Sequence, residues 1–265
     1  TGGTFSATPS GLSINASTGA IDLSASTMGT YAVKYVTSST VCADSTTFNV
    51  TLTATNTVSV NGAYDISTAT YVQNFSVAAQ EANPTGMSFN NDGTKMYIIG
   101  TTGDDVNEYN LSTAFDISTA SYVQTFALGS LETYPLGITF NNDGTKMFIV
   151  GSTGDDVNEF SLSTAFDVST ASYVQLFSVA AQETTPSGMA FNNDGTKMFI
   201  IGYIGDDVNE YSLSTAFDVS SASFAGNSER FSIAAQENYP NGLGFSNDGT
   251  KTVSYTHLRA HETRS

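Results

Sequence analysis

The chain has 265 residues, enough for one large or two modest domains with a sizeable core, and its 8 Lys and Arg against 25 Asp and Glu give a formal charge of −17. That charge argues against nucleic acid and anionic membrane surfaces as main partners, because both repel an acidic surface. A hydrophobic fraction of 40% supports packing rather than disorder, one cysteine (Cys42) excludes an internal disulfide framework and multi-cysteine metal sites, and no apolar run approaches the ~18 residues of a transmembrane segment.

The chain opens Thr1-Gly2-Gly3, without Met or signal peptide, so a processed or fragmentary start is expected. In residues 1–56, Tyr31, Val33 and Tyr35 alternate, as do Phe48, Val50 and Leu52, which predicts half-buried strands. The run GLSINASTGAIDLSAS followed by GTYAVKY resembles the immunoglobulin-like repeats of bacterial surface proteins. A full sandwich takes about seven strands and ~100 residues. Residues 1–56 therefore read as a truncated Ig-like module. Cys42 sits near its final hairpin, as a packing thiol or as half of a disulfide with a partner outside the chain.

Residues 57–252 are dominated by internal repetition. FNNDGTKM begins at Phe89, Phe140 and Phe191, and a variant FSNDGTK at Phe245, at offsets of 51, 51 and 54 residues. GDDVNE begins at Gly103, Gly154 and Gly205, and STAFD ends at Asp116, Asp167 and Asp218, on the same step of 51. Each unit reads as four short strands. A hairpin turn at Asn-Asn-Asp-Gly-Thr follows the first, a Gly-Asp-Asp turn the second, and a longer Ser-Thr-Ala-Phe-Asp loop the third. Four-stranded units of this length are the signature of β-propeller blades. Small residues in the first strand (Ser88, Thr139, Ala190, Gly244) suit a crowded centre. The pattern P-x-G-[MIL]-x-F-x-[ND]-D-G-T-K, then D-D-V-x-E-[YF]-x-L-S-T-A-F-D, resembles propeller repeats of marine bacterial and phage surface proteins, and more distantly lactonase-like secreted propellers. The expected fold is all-β: a partial Ig-like sandwich followed by an incomplete β-propeller of about three full four-stranded blades plus parts of two. A closed four-bladed ring is the alternative.

Residues 253–265 read VSYTHLRAHETRS and break every preceding pattern. They resemble translated sequencing-adaptor text and are set aside as a non-native tail. Both histidines, His257 and His261, lie there, so the body of the chain has none.

The binding candidates are acidic. In a propeller, the loop between strands two and three shares a face with the loop joining successive blades. That face collects Asp104, Asp105, Asp155, Asp156, Asp206 and Asp207 with Glu81, Glu132, Glu183 and Glu237. Hard cations such as Ca²⁺ favour oxygen donors, so the six aspartates are candidate Ca²⁺ ligands; a solvated, solubilising face is the alternative. The Asn-Asn-Asp-Gly-Thr loops lack the alternating acids of a calcium loop and read as turns. Asp116, Asp167 and Asp218 read as local caps. The repeated aromatics (Tyr109, Phe160, Tyr211; Tyr122, Tyr173, Phe224) read as blade packing, with a sugar-stacking platform as the alternative. No histidine triad, no tryptophan-based signature and no phosphate-binding glycine motif is present. The expected function is non-enzymatic binding or adhesion to a protein or glycan ligand by an extracellular, surface-displayed or phage-borne module. A calcium-dependent, lactonase-like hydrolase and a structural spacer are the competing readings.

Overall fold

The computed structural model describes residues 3–22, 25–27, 29–37, 45–52, 69–235, 237, 239–246, 249 and 252–255. They are all-β, with only short 3-10 turns besides strands, and fall into two compact units, Thr1–Ala63 and Tyr64–Ser265. Cys42 and residues 57–68 lie outside the described residues.

The first unit contains β1 (Thr4–Thr8), β2 (Ser13–Ile14), β3 (Ile21–Asp22), β4 (Gly29–Val36) and β5 (Ser45–Leu52). β4 lies between β1 and β5, antiparallel to both, and β2 and β3 form a separate hairpin. The alternation read from the sequence appears in β4, where Tyr31 and Val33 are buried. Phe48, opposite Val33, stays half exposed because β5 is an edge strand. A sandwich needs two packed sheets. Among the described residues the second is the short β2–β3 hairpin, so the immunoglobulin-like reading remains a resemblance.

In the second unit, β6 (Pro84–Phe89), β7 (Lys95–Gly100), β8 (Asp105–Leu111) and β9 (Ala120–Ala127) form one antiparallel sheet in sequence order. So do β10 (Pro135–Phe140), β11 (Lys146–Gly151), β12 (Asp156–Leu162) and β13 (Ala171–Ser178). The third sheet holds β14 (Pro186–Phe191), β15 (Lys197–Gly202), β16 (Asp207–Leu213) and β17 (Ala222–Phe224). Its fourth strand is interrupted near Gly226–Arg230 and resumes as β18 (Phe231–Ser232), which also pairs with β16. β19 (Gly242–Phe245) and β20 (Thr252–Tyr255) open a fourth sheet. Thr252 faces Phe245 as Met198 faces Phe191. Val253–Tyr255, from the segment set aside as a tail, thus continue the second strand of that sheet, and residues 256–265 lie outside the described residues.

Each blade closes its first turn in the same way. Asn141 Oδ1 accepts from Lys146 N at 2.9 Å, and Asp143 Oδ1 accepts from Thr145 N at 3.0 Å. Gly144 has φ 72°, and the Phe166 ring lies over it so closely that a Cβ there would come within 2.2 Å of the ring. The turn therefore demands glycine twice, for its dihedral and for its missing side chain. Phe166 itself takes a left-handed φ of 59°, a strained conformation that places its ring 5.5 Å from Phe140. Phe89, Phe140 and Phe191 are consequently half-buried partners of these rings rather than core residues.

Blades are joined by aromatic and ionic contacts. Phe126 meets Phe160 edge-on, as Phe177 meets Tyr211 and as Phe75, from the unit preceding the first blade, meets Tyr109. The repeated strand-three aromatics are fully buried in this packing. Lys146 Nζ lies 2.8 Å from Glu159 Oε1 and donates across to Phe217 O at 2.6 Å in the next blade. Glu159 Oε2 accepts from Gln175 Nε2 and from Val219 N of that blade. Gln175 also donates to Asp218 Oδ1, while Asp218 caps its own 3-10 turn by accepting from Ser220 N. Lys95, Glu108, Gln124, Val168 and Asp167 repeat this clasp one blade earlier. The turn-capping expected of Asp116, Asp167 and Asp218 is present, and an interblade bond from a glutamine joins it.

Candidate functional site

Two faces follow from the antiparallel meander. The Asn-Asp-Gly turns and the Phe-Asp loops meet on one, through Phe115 N to Gly93 O and its two repeats. On the other, the Gly-Asp-Asp turns meet the loops that join successive blades. Glu81 establishes this pairing: its carboxylate accepts from Thr102 N at 3.2 Å and Gly103 N at 3.3 Å, and from Asn83 N at 2.6 Å. Burial raises the Glu81 carboxyl, but the backbone amides of Asn83, Gly103 and Thr102 and the Thr102 hydroxyl outweigh it and leave the group below its ordinary value.

The acidic candidates separate by role. Glu81, Glu132 and Glu183 are fully buried and bind backbone amides. Glu237 is half-buried and accepts from Tyr239 N at 2.8 Å. Asp104, Asp155 and Asp206 take left-handed turn dihedrals, with φ of 48°, 50° and 47°. Asp105, Asp156 and Asp207 begin the third strands, and each accepts from the asparagine two residues later. Burial, then Glu132, holds the Asp156 carboxyl above its ordinary value. Among the described residues, no group of three or more His, Cys, Asp or Glu gathers in a way that could hold a metal ion. The Ca²⁺ expectation finds no assembled donor set there: both oxygens of Glu81 and Glu183 serve backbone amides, while Asp104, Asp155 and Asp206 each keep a buried Oδ1 without a hydrogen-bond partner.

The same face frames a cavity of about 970 Å³, along the line where β6, β10, β14 and β19 stand side by side. Gly86, Gly137, Gly188 and Gly242 line it together with the apolar Met87, Leu136, Ile138, Met189 and Leu243. A Cβ on Gly188 would lie 2.8 Å from Gly242 Cα, so the innermost strands approach closely only because that position lacks a side chain. The crowding anticipated at Ser88, Thr139 and Ala190 thus falls two residues earlier, on Gly86, Gly137 and Gly188.

The rim carries the chemistry. Asn83, Tyr134, Thr101, Tyr203 and Asn241 line it, and Tyr203 donates to Asn241 Oδ1. Tyr239 packs edge-on against Tyr203 with centroids 6.3 Å apart. Tyr134 and Tyr239 are 51% and 71% exposed, which leaves ring faces open to a ligand. Burial, then neighbouring Tyr134, pushes the Tyr203 hydroxyl above its ordinary value. None of the lining residues is charged.

No motif marks these rim residues in a single copy of the repeat. The signal that finds them is the repeat itself. FNNDGTKM and STAFD are identical in three units, whereas the residue two after each constant glutamate is Asn83, Tyr134, Thr185 or Tyr239. The residue after the second strand varies likewise, as Thr101, Ser152 and Tyr203. One face of the arc is constant, and on the other the variable positions Asn83, Thr101, Tyr134 and Tyr203 line the cavity.

No protein-family model matches the chain, and no curated protein sequence does. Among solved structures it is similar to the hydrazine synthase of Kuenenia stuttgartiensis, at 15% identity and a TM-score of 0.46, over 70% of this chain and 45% of that one. It is similar to the periplasmic gluconolactonase of Pseudomonas aeruginosa, at 16% identity and a TM-score of 0.41, over 57% of this chain and 40% of that one. The Swd1 β-propeller domain of Myceliophteria thermophila matches at 10% identity and a TM-score of 0.43, over 64% of this chain and 49% of that one. The chain spans less than half the length of each. No helix among the described residues is long and apolar enough to cross a membrane.

Proposed function

We propose that this chain is a non-enzymatic binding module of a surface-displayed protein, with its ligand seated at the mouth framed by the interblade loops. The observation that carries this reading is that the variable positions Asn83, Thr101, Tyr134 and Tyr203 line the cavity. Selection for folding alone favours one residue per repeat position, as the constant face illustrates; a ligand without the repeat's symmetry favours different residues around it. A constant glutamate clamps the amides of Asn83, Tyr134, Thr185 and Tyr239, so this side of the rim is preorganised. The lining holds no histidine, carboxylate or lysine to act as general acid or base, which favours binding over a lactonase-like reaction.

Ligand-observed NMR with the full chain tests this. The library contains neutral sugars, quaternary ammonium ions, carboxylates, short peptides and δ-lactones. At least one class should show saturation transfer that Tyr203→Ala abolishes, while lactone signals decay at the buffer rate. No binding by any class, or saturable lactone hydrolysis, would overturn the proposal.

A further inference from the structure

Resting on that reading, we infer that the ligand is a neutral polyhydroxyl compound, an oligosaccharide of more than one ring. Charge is the first argument. The chain carries a net charge of −17, yet none of the residues lining the cavity is charged. An anion would meet the protein's negative field without a basic partner. A cation would lose hydration against a lining that offers it no carboxylate. A neutral ligand has neither cost.

The rim chemistry is the second argument. A sugar ring presents an apolar C–H face and a girdle of hydroxyls that both donate and accept. Tyr134, Tyr203 and Tyr239 come from three successive units and offer aromatic faces with a polar edge. Asn83, Thr101 and Asn241 supply amide and hydroxyl groups of both polarities. A purely apolar ligand would strip water from the polar atoms of these residues without replacing its hydrogen bonds.

Size and stiffness complete it. The cavity, about 970 Å³, lies at the upper end of the roughly 300–1,000 Å³ of small-molecule sites, more than one sugar ring requires. The platform is fixed by Tyr134 N to Glu132 Oε1 at 2.7 Å, Tyr239 N to Glu237 Oε1 at 2.8 Å and Tyr203 N to Thr185 O at 3.2 Å.

The test is saturation-transfer NMR on the full chain with neutral tetrasaccharides of glucose, mannose, galactose and N-acetylglucosamine, beside tetramethylammonium, gluconate and an uncharged tetrapeptide. At least one tetrasaccharide should bind. Tyr134→Ala with Tyr203→Ala should weaken it about tenfold or more, and the Phe substitutions at both positions should retain most of the affinity, since they keep the ring. Thermal melts of all variants check folding. Absence of tetrasaccharide binding, or affinity unchanged in the double Ala variant with its fold intact, overturns the inference. If only the ammonium ion, gluconate or the peptide binds, and the tyrosines are needed, the polyhydroxyl class falls while the mouth remains a binding site. If nothing binds, both fall.

Discussion

Arg230 Nε lies 3.3 Å from Asp207 Oδ2 and donates to Asn209 Oδ1 at 3.0 Å. It does so from the irregular stretch that interrupts the third blade's outer strand. In the second blade, Leu176 stands opposite Asn158, at the position Arg230 takes in the third, and Asn158 Oδ1 is buried without a hydrogen-bond partner. The third blade thus contains a solution to a defect in the second.

Leu176→Arg should therefore raise the thermal stability of the second blade by pairing Asp156 and satisfying Asn158. The gain should be on the order of 1 kcal/mol, the net worth of a partly exposed charge-assisted bond. Arg230→Leu should cost a similar amount. Chemical denaturation of both variants checks the pair, and an unchanged midpoint for both would contradict it.

The interblade clasp predicts a larger effect. Glu159 is 2% exposed, and its removal takes one partner each from Lys146 and Gln175 and leaves the Val219 amide without its acceptor. Glu159→Ala should destabilise by about 3 kcal/mol, as expected when one member of a buried pair is lost. Glu159→Gln should cost less, because its amide oxygen can still accept from Val219. Equal losses for the two variants would show that the retained amide oxygen recovers nothing and that the loss is one of charge.

Gly188→Ala tests the close approach of the inner strands. The new methyl would meet Gly242 Cα at 2.8 Å and Leu243 N at 3.2 Å, backbone atoms that yield only if the strands separate. A cost of about 2–3 kcal/mol is expected from overpacking. Gly129→Ala, with φ 64° but nothing within 4 Å, should cost only about 1 kcal/mol from strain. Comparison of urea midpoints decides the order.

The pH dependence has two opposing parts. Asp143 and Asp194 have carboxyls lowered chiefly by the hydroxyls of Thr145 and Thr196. Their contribution is present above the unfolded value of 3.8 and is lost as pH falls through the lower folded value. Asp156 is raised, chiefly by burial, so folding favours its protonated form and stability is lost as pH climbs from 3.8 through the higher folded value. Asp156→Asn should thus raise the melting temperature at neutral pH and change it little near pH 3. A rise that persists at low pH would assign the effect to packing.

Much of the fold was legible because glycine, proline and the period of 51 residues leave little freedom: the strand order, hairpin turns and two loop faces all follow from them. The clasp was not legible, since Lys146 and Glu159 look like ordinary surface charges until the next blade covers them. The acidic face misled for the opposite reason. A carboxylate in sequence carries no sign of whether it faces water or, like Glu132, turns inward to its own backbone. The rim residues were visible only as differences between units, a signal that a search for motifs passes over.

The most direct test follows individual tyrosine rings by NMR during titration of the full chain with the neutral tetrasaccharides. Signals of Tyr134, Tyr203 and Tyr239 should shift together and saturably, while those of buried Tyr97, Tyr109 and Tyr211 stay in place. Shifts confined to Tyr122 and Tyr173 on the outer strands, or no shift in any ring, would contradict a binding site at the channel mouth.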